Sequence, residues 1–230
     1  MKAGQVIILT VISLLCVMPE TMAQDTPLTR SMARQEKAAD ISSTVELARS
    51  MNNVNYTDIY DRSLLMYAAS QGYSRACRIL LRRGADPNIQ AIDGATSGMF
   101  AAYNGHDRIV KLMLERGFDP EIKALDGTNA LMMASQNGHL EVARLLLVNG
   151  AKPDLQAADG YTALMLASQN GHEEIVSLLL EYGASPDMQD FRNGTTALIQ
   201  ASLFGNTYAA MLLLDSGADP NLSDNGGTSA

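Results

Sequence analysis

The sequence predicts an all-α solenoid: helix–turn–helix units with protruding loops, stacked so that each covers its neighbour. Three observations predict it. The first is self-similarity. Residues 159–189, DGYTALMLASQNGHEEIVSLLLEYGASPDMQ, recur at 126–156 as DGTNALMMASQNGHLEVARLLLVNGAKPDLQ, more divergently at 93–123, and at 193–223 after one inserted residue. A fixed period of about 33 residues is the mark of stacked supersecondary units. The second is the grammar of each unit. The Thr162 hydroxyl can accept an orphan amide and open a helix over 163–169. Asn170 and Gly171 then end it, because glycine takes the left-handed conformation at little steric cost. A second helix over 172–181 stops at Tyr182 and Gly183, and 184–194 forms an exposed turn into the next unit. The third is the apolar stripe of that second helix, Ile175, Val176, Leu178, Leu179 and Leu180. Two helices this short cannot bury so wide a stripe alone, so neighbouring units must stack on it.

The shared pattern, DGxTALMxAxxNGHxEiVxLLLexGAxPd, resembles the ankyrin repeat. Pro87, Pro120, Pro153, Pro186 and Pro220 punctuate five copies. These are assigned to 58–90, 91–123, 124–156, 157–189 and 190–223, and 224–230 opens an incomplete sixth. The first copy is degenerate at its start, with Asp61, Arg62, Ser63, Leu64, Leu65 and Met66 in place of GxTALM. The resemblance implies an ankyrin-repeat α-solenoid. It also implies a concave recognition surface made from the loop tips and the inner face of the first helices.

Ahead of the repeats, 1–23 reads as a signal peptide. Lys2 supplies the positive start, 6–17 the apolar core, and Thr21 and Ala23 the small residues before a cut at Gln24. A membrane anchor competes with this, but a dozen apolar residues fall short of the ~20 needed to span a bilayer. A lipid anchor at Cys16 would need small residues before it, where Leu14 and Leu15 stand. The expectation is export with no stable membrane insertion after cleavage. Because members of the resembled family are mostly intracellular in eukaryotes, a bacterial periplasm is the expected compartment. Secretion or an ER lumen is the alternative, tested by glycan mass on the sequons at Asn55, Asn193 and Asn221. Residues 24–57 then comprise a polar leader and an N-terminal capping helix over 31–51, with Ala38, Ile41, Val45, Leu47 and Ala48 on its apolar side.

Departures from the pattern carry their own expectations. Gly98 stands at a core leucine position, which removes a side chain and costs the helix about 1 kcal/mol relative to alanine. Gln200 stands where Leu166 sits, aiming an amide at the core or the groove. The inserted residue makes 190–194 the longest loop. The last helix, over 208–214, has no following unit to cover it. A partner or a second copy masks that face, or the sequence stops short; both accounts stand.

Little in the chain speaks of catalysis. His106, His139 and His172 recur at equivalent points of successive units, roughly 8–10 Å apart. That is too far for ligands that must each reach about 2.3 Å from one zinc; holding loops by hydrogen bonds is the expected role. Met66, Met99, Met132 and Met165 align likewise and read as core filler rather than a copper ladder. They stand where many ankyrin repeats carry a histidine, so that histidine's hydrogen-bond network is not expected here. Cys77, on the apolar stripe, reads as a buried thiol. Glu173 and Glu174 sit at a helix start, where the dipole favours them, with no nucleophile or base recurring beside them. No phosphate loop, HExxH or GxSxG motif is present. No cofactor and no metal are expected, and the chain does not read as an enzyme.

Charge is uneven. From 24 to 90 there are nine Lys/Arg against seven Asp/Glu, and from 91 onward seven against seventeen. Arg75, Arg78, Arg82 and Arg83 share one helix, a solvated face or a patch for an anionic partner. Overall acidity and the export signal disfavour nucleic acid.

What remains is protein binding, at positions that vary between copies. The residues singled out are Tyr60, Arg62, Asp93, Tyr103, Asn104, Asp126, Gln136, Asn137, Tyr161, Gln169, Asn170, Phe191, Arg192 and Phe204. Tyrosine and arginine anchor interfaces well because they bury large area with few torsions and keep a polar end. The expected function is that of an exported, non-catalytic adaptor or stabiliser of a client protein. An inhibitor or immunity protein blocking a periplasmic enzyme is the alternative. An enzyme or metal carrier, the third possibility, would require turnover or bound metal from the purified chain. Self-association through the uncovered last unit is a further expectation.

Overall fold

The computed structural model describes residues 41–230, with side chains from 44 onward. The signal peptide, the polar leader over 24–30 and the 31–40 part of the capping helix lie outside the described residues. Among the described residues there are eleven helices and no strands. They are α1 (Ile41–Ser50), α2 (Leu64–Ser70), α3 (Ser74–Arg82), α4 (Ser97–Tyr103), α5 (Asp107–Leu114), α6 (Ala130–Gln136), α7 (Leu140–Val148), α8 (Ala163–Asn170), α9 (Glu173–Glu181), α10 (Ala197–Phe204) and α11 (Thr207–Asp215). From α2 onward they pack in pairs. The first helices of the pairs stack on one another as an inner row, and the second helices as an outer row.

Each inner helix opens on a side-chain cap. Ser63, Thr96, Asn129, Thr162 and Thr196 accept from the amides of Met66, Met99, Met132, Met165 and Ile199 at 2.9–3.4 Å. Each such cap stabilises its helix by about 1 kcal/mol, which matters for helices of two turns. The methionines at these positions are buried in the core, with Leu65, Leu131 and Leu164 beside them. Outer helices begin one residue later than the period suggests, with His106, His139 and His172 as N-cap residues rather than first-turn residues.

The Gly98 position corrects a sequence expectation. It is not left empty, because a Cβ built there would overlap the Phe118 ring. Phe118 is buried, and it stands in the turn where Ala85, Ala151, Ala184 and Ala218 stand in the other repeats. One repeat has moved its bulk from the helix to the turn.

The bond from Arg83 to Ala48 on α1 stands thirty-three residues before the bond from Arg116 to Leu81 on α3, so α1 occupies the outer-row register of one more unit. Val45 and Ala48 are buried. The Arg83 guanidinium donates to the carbonyls of Ala48 and Arg49 at 2.7 and 2.9 Å, and to that of Met51. Arg116 repeats the gesture one unit on, donating to the Leu81 carbonyl at 2.8 Å. A cation on the last carbonyls of a helix also meets the favourable end of its dipole. Arg83, although exposed, is thus engaged by the fold, whereas Arg75, Arg78 and Arg82 are exposed on α3.

Candidate functional site

Three ladders of hydrogen bonds run across the repeats and hold the loops and inner-helix ends in line. At the tips, the amides of Ile92, Leu125, Ala158 and Phe191 donate to the carbonyls of Tyr60, Asp93, Asp126 and Asp159 at 2.9–3.0 Å. At the loop bases, Gln90, Gln156 and Gln189 each donate one side-chain amide group to two carbonyls. One is the glycine of its own loop, and the other is Lys123, Gln189 or Ser223 of the next unit. Lys123 fills the missing rung by donating its ammonium to the Gln156 carbonyl at 2.7 Å.

The third ladder uses the histidines. Nε2 of His106, His139 and His172 lies 3.3, 2.9 and 3.1 Å from the carbonyls of Ser70, Tyr103 and Gln136 in the preceding unit. A carbonyl only accepts, so Nε2 carries the proton in each. Asn206 takes the role in the fifth unit, donating to the carbonyls of Ser168 and Gln169 at 2.8 and 2.9 Å. The imidazole also lies over the glycine that ends the preceding inner helix. Gly105 has φ +70°, and a Cβ there would meet His139 Nδ1 at 2.5 Å. Backbone conformation and the neighbour's ring both demand glycine at that turn.

On this frame the sequence-selected residues fall into two rows. Along the tips, Tyr60 lies under the Arg62 guanidinium, 4.9 Å from ring centre, while Arg62 Nε pairs with Asp58 at 3.3 Å. Asp93, Asp126 and Asp159 follow at equivalent positions, each accepting from the amide two residues on. Phe191 is exposed, and Arg192 lies 4.0 Å from Asp159. The row is therefore three acids flanked by an aromatic–arginine pair at each end.

At the ends of the inner helices, Tyr103, Gln136 and Gln169 are half-buried, and their backbone carbonyls receive the cross-repeat bonds above. Asn104, Asn137 and Asn170 turn their amide groups back onto the carbonyls of Phe100, Met133 and Leu166, each at 2.8 Å. Part of their hydrogen-bonding capacity is thus spent on closing their own helices. Phe204 ends α10 exposed.

Tyr161 is different. Its phenol accepts from Gln200 Nε2 at 2.8 Å, and the same amide group donates to Thr195 Oγ1 at 2.8 Å. Thr195 donates through its hydroxyl and its amide to Asp190 Oδ2. The Arg192 and Asn193 amides donate to Asp190 Oδ1 at 2.8 Å. Gln200 is buried. Burial, then the charges of Asp190 and Asp159, push the Tyr161 phenol above its ordinary pKa, against the hydrogen bonds from Gln200 and Thr195. Burial also acts to raise the Asp190 carboxyl, but bonds from Asn193, Thr195 and Arg192 outweigh it and hold the group below the usual carboxylate range.

Sequence reasoning passed over Tyr67, Phe100 and Met133. These half-buried residues form a column with Leu166 along the inner helices, between the two rows. The period itself marks them, one residue past the methionine of each TALM. Chemically the face offers carboxylates, guanidinium groups, amides and aromatic edges, which suit recognition. Cys77 is fully buried, and desolvation pushes its thiol up to about 12. Among the described residues, no group of three or more His, Cys, Asp or Glu is placed to hold a metal ion.

A family model described as Ankyrin repeats (3 copies) matches residues 65–157, 98–190 and 131–224, overlapping windows that together run from 65 to 224. No curated protein matches the chain.

Proposed function

The chain belongs to the ankyrin-repeat family, whose members are generally protein–protein interaction modules and typically non-catalytic, and on that premise we propose that it is an exported adaptor or stabiliser of a client protein. The client docks on the face made by the loop tips and inner-helix ends. One observation carries this reading. The backbone of that face is tied from unit to unit by repeating hydrogen bonds, while the side chains it presents change from unit to unit. A rigid frame with variable display lowers the ordering cost of binding and leaves specificity to the side chains. The export reading rests on the pattern of 1–23 alone.

Capture of a client from the cell envelope by the chain, compared with a Tyr103→Ala, Phe191→Ala, Phe204→Ala variant, tests the face. Tyr161 is spared because its phenol belongs to a folded hydrogen-bond network. A partner held by the first and lost by the second, with unchanged circular dichroism, supports the reading. Equal capture by both removes the face from consideration. The client's own activity with and without the chain separates an adaptor from an inhibitor.

A further inference from the structure

The outer helices carry a charge pattern that the client-binding face does not use. On α3 and α5 the exposed charged side chains are Asp107 and five basic ones, Arg75, Arg78, Arg82, Arg108 and Lys111. None of these five has a carboxylate partner among the described residues. On α9 the exposed side chains are Glu173, Glu174 and Glu181. On α7, midway, Glu141 and Arg144 lie 4.0 Å apart beside Val148, which is 65% exposed. On α11, Tyr208 and Met211 are exposed beside Asp215. The register is the same throughout: Arg75, Arg108, Glu141, Glu174 and Tyr208 occupy one position of successive outer helices, and Arg78, Lys111, Arg144, Ser177 and Met211 another.

We propose that this face is self-complementary and pairs two copies of the chain, outer helices against outer helices, in antiparallel order about a twofold axis. In that order α5 meets the partner's α9, setting Arg108 and Lys111 against three glutamates, twice over by symmetry. The two α7 helices meet at the axis, where each Glu141 keeps its own Arg144 beside it and the two exposed valines face one another. The arginines of α3 lie over the tyrosine, methionine and aspartate of α11, an arrangement that suits a guanidinium on an aromatic face. The parallel alternative sets arginine on arginine and glutamate on glutamate, and like-charge juxtaposition suppresses that pairing. The net charge of −8 makes two copies repel at long range, so only an alignment of opposite patches overcomes it. A twofold pair is the commonest closed assembly, and it leaves both client-binding faces open.

Sedimentation velocity on the purified chain tests the pairing. A dimer is expected at low salt, its dissociation constant rising at least about tenfold between ~50 and ~300 mM salt as screening shortens. Arg108→Glu with Lys111→Glu makes both patches acidic, and Glu174→Lys with Glu181→Lys makes both basic. Each variant alone is expected to be monomeric, and an equimolar mixture of the two to give a one-to-one dimer. A chain monomeric at ~100 μM in low salt overturns the proposal. So does a dimer that survives both reversals, or a mixture that stays monomeric. All four altered side chains are exposed, and circular dichroism verifies the fold of each variant. Should either variant misfold, the salt titration of the unaltered chain decides.

Discussion

The second repeat and the joint between the fourth and fifth repeats both break the consensus, and they are repaired by opposite means. In the second, a leucine is missing from the inner helix and a phenylalanine from the following turn fills the space; the exchange is apolar throughout. At the later joint, an amide replaces an apolar side chain, and a tyrosine, a threonine and an aspartate assemble around it. The first repair depends on volume and is indifferent to pH. The second depends on every hydrogen bond being made, since a buried polar group left alone costs more than the bond it lost. Two deviations of similar size in sequence therefore produce joints with different sensitivities.

Removing the plug should have the largest effect. Phe118→Ala is expected to destabilise by about 3–5 kcal/mol through the cavity it leaves, read as a shifted urea midpoint. Gly98→Leu alone should cost at least about 1–3 kcal/mol by overpacking. The pair together restores the Leu-and-Ala arrangement of the other repeats and should recover most of both losses. If the double variant is no better than the worse single, the two positions are not exchanging volume. Gln200→Leu comes next, at about 1–3 kcal/mol, because it strands the Tyr161 phenol and Thr195. Adding Tyr161→Phe should return part of that loss.

The Cys77 thiol offers a local reporter for the same contrast, since it is buried and protonated until its repeat opens. Its labelling should accelerate in Phe118→Ala and stay near the unaltered rate in Gln200→Leu. Equal acceleration in both would mean that the repeats open as one unit.

Acid separates the joints more gently. Asp190 titrates lower in the fold than in the unfolded chain, so its stabilisation is complete above the ordinary carboxylate range and is lost as pH falls through its folded value. Stability measured from pH 7 to pH 3 should fall less in Asp190→Asn than in the unaltered chain, starting from a lower value. An unchanged slope would exclude this carboxylate as a contributor. The smallest effect is expected from Asn206→His, which exchanges one cross-repeat donor for the one used elsewhere. A change beyond about 1 kcal/mol would show that the two bonds Asn206 makes are not equivalent to one imidazole bond.

Most of the fold was legible because it is local. Thr162 as a cap, Gly171 as a terminator and the apolar stripe of 172–181 each act within a few residues. What was not legible lies across units. The histidines could be read as loop holders, but their partner carbonyls sit thirty-six residues earlier, beyond any local rule. Gly98 was read as a loss because Phe118 is twenty residues away; a large residue in a small-residue column was the available clue. The capping segment was recognisable by its apolar side, yet its register as an outer helix emerges only beside α3. At the candidate face, periodicity pointed to the rows but could not say which side chains are already engaged. Asn104, Asn137 and Asn170 spend their amides on their own helices, and Tyr161 is tied into the fold. Tyr67, Phe100 and Met133 were passed over although the shared pattern leaves their position open, because it lies between the core methionine and the core alanine of each unit.

The imidazole that lies over the previous unit's glycine has a consequence for how such a chain can change length. The half-socket left by Gly105 is the same as that left by Gly138, and His139 and His172 are equivalent plugs. Excising the thirty-three residues from 106 to 138 would bring Gly105 against His139 along the chain and His139 against the Ser70 carbonyl in space, with the connector intact. Duplication and loss in whole units are thus nearly seamless at these junctions. The splice that preserves them falls between glycine and histidine, in the middle of a helix–turn–helix rather than at its borders. Asn206 with the inserted residue near it, and Tyr73 in the first unit, mark junctions whose parts are no longer interchangeable with the rest.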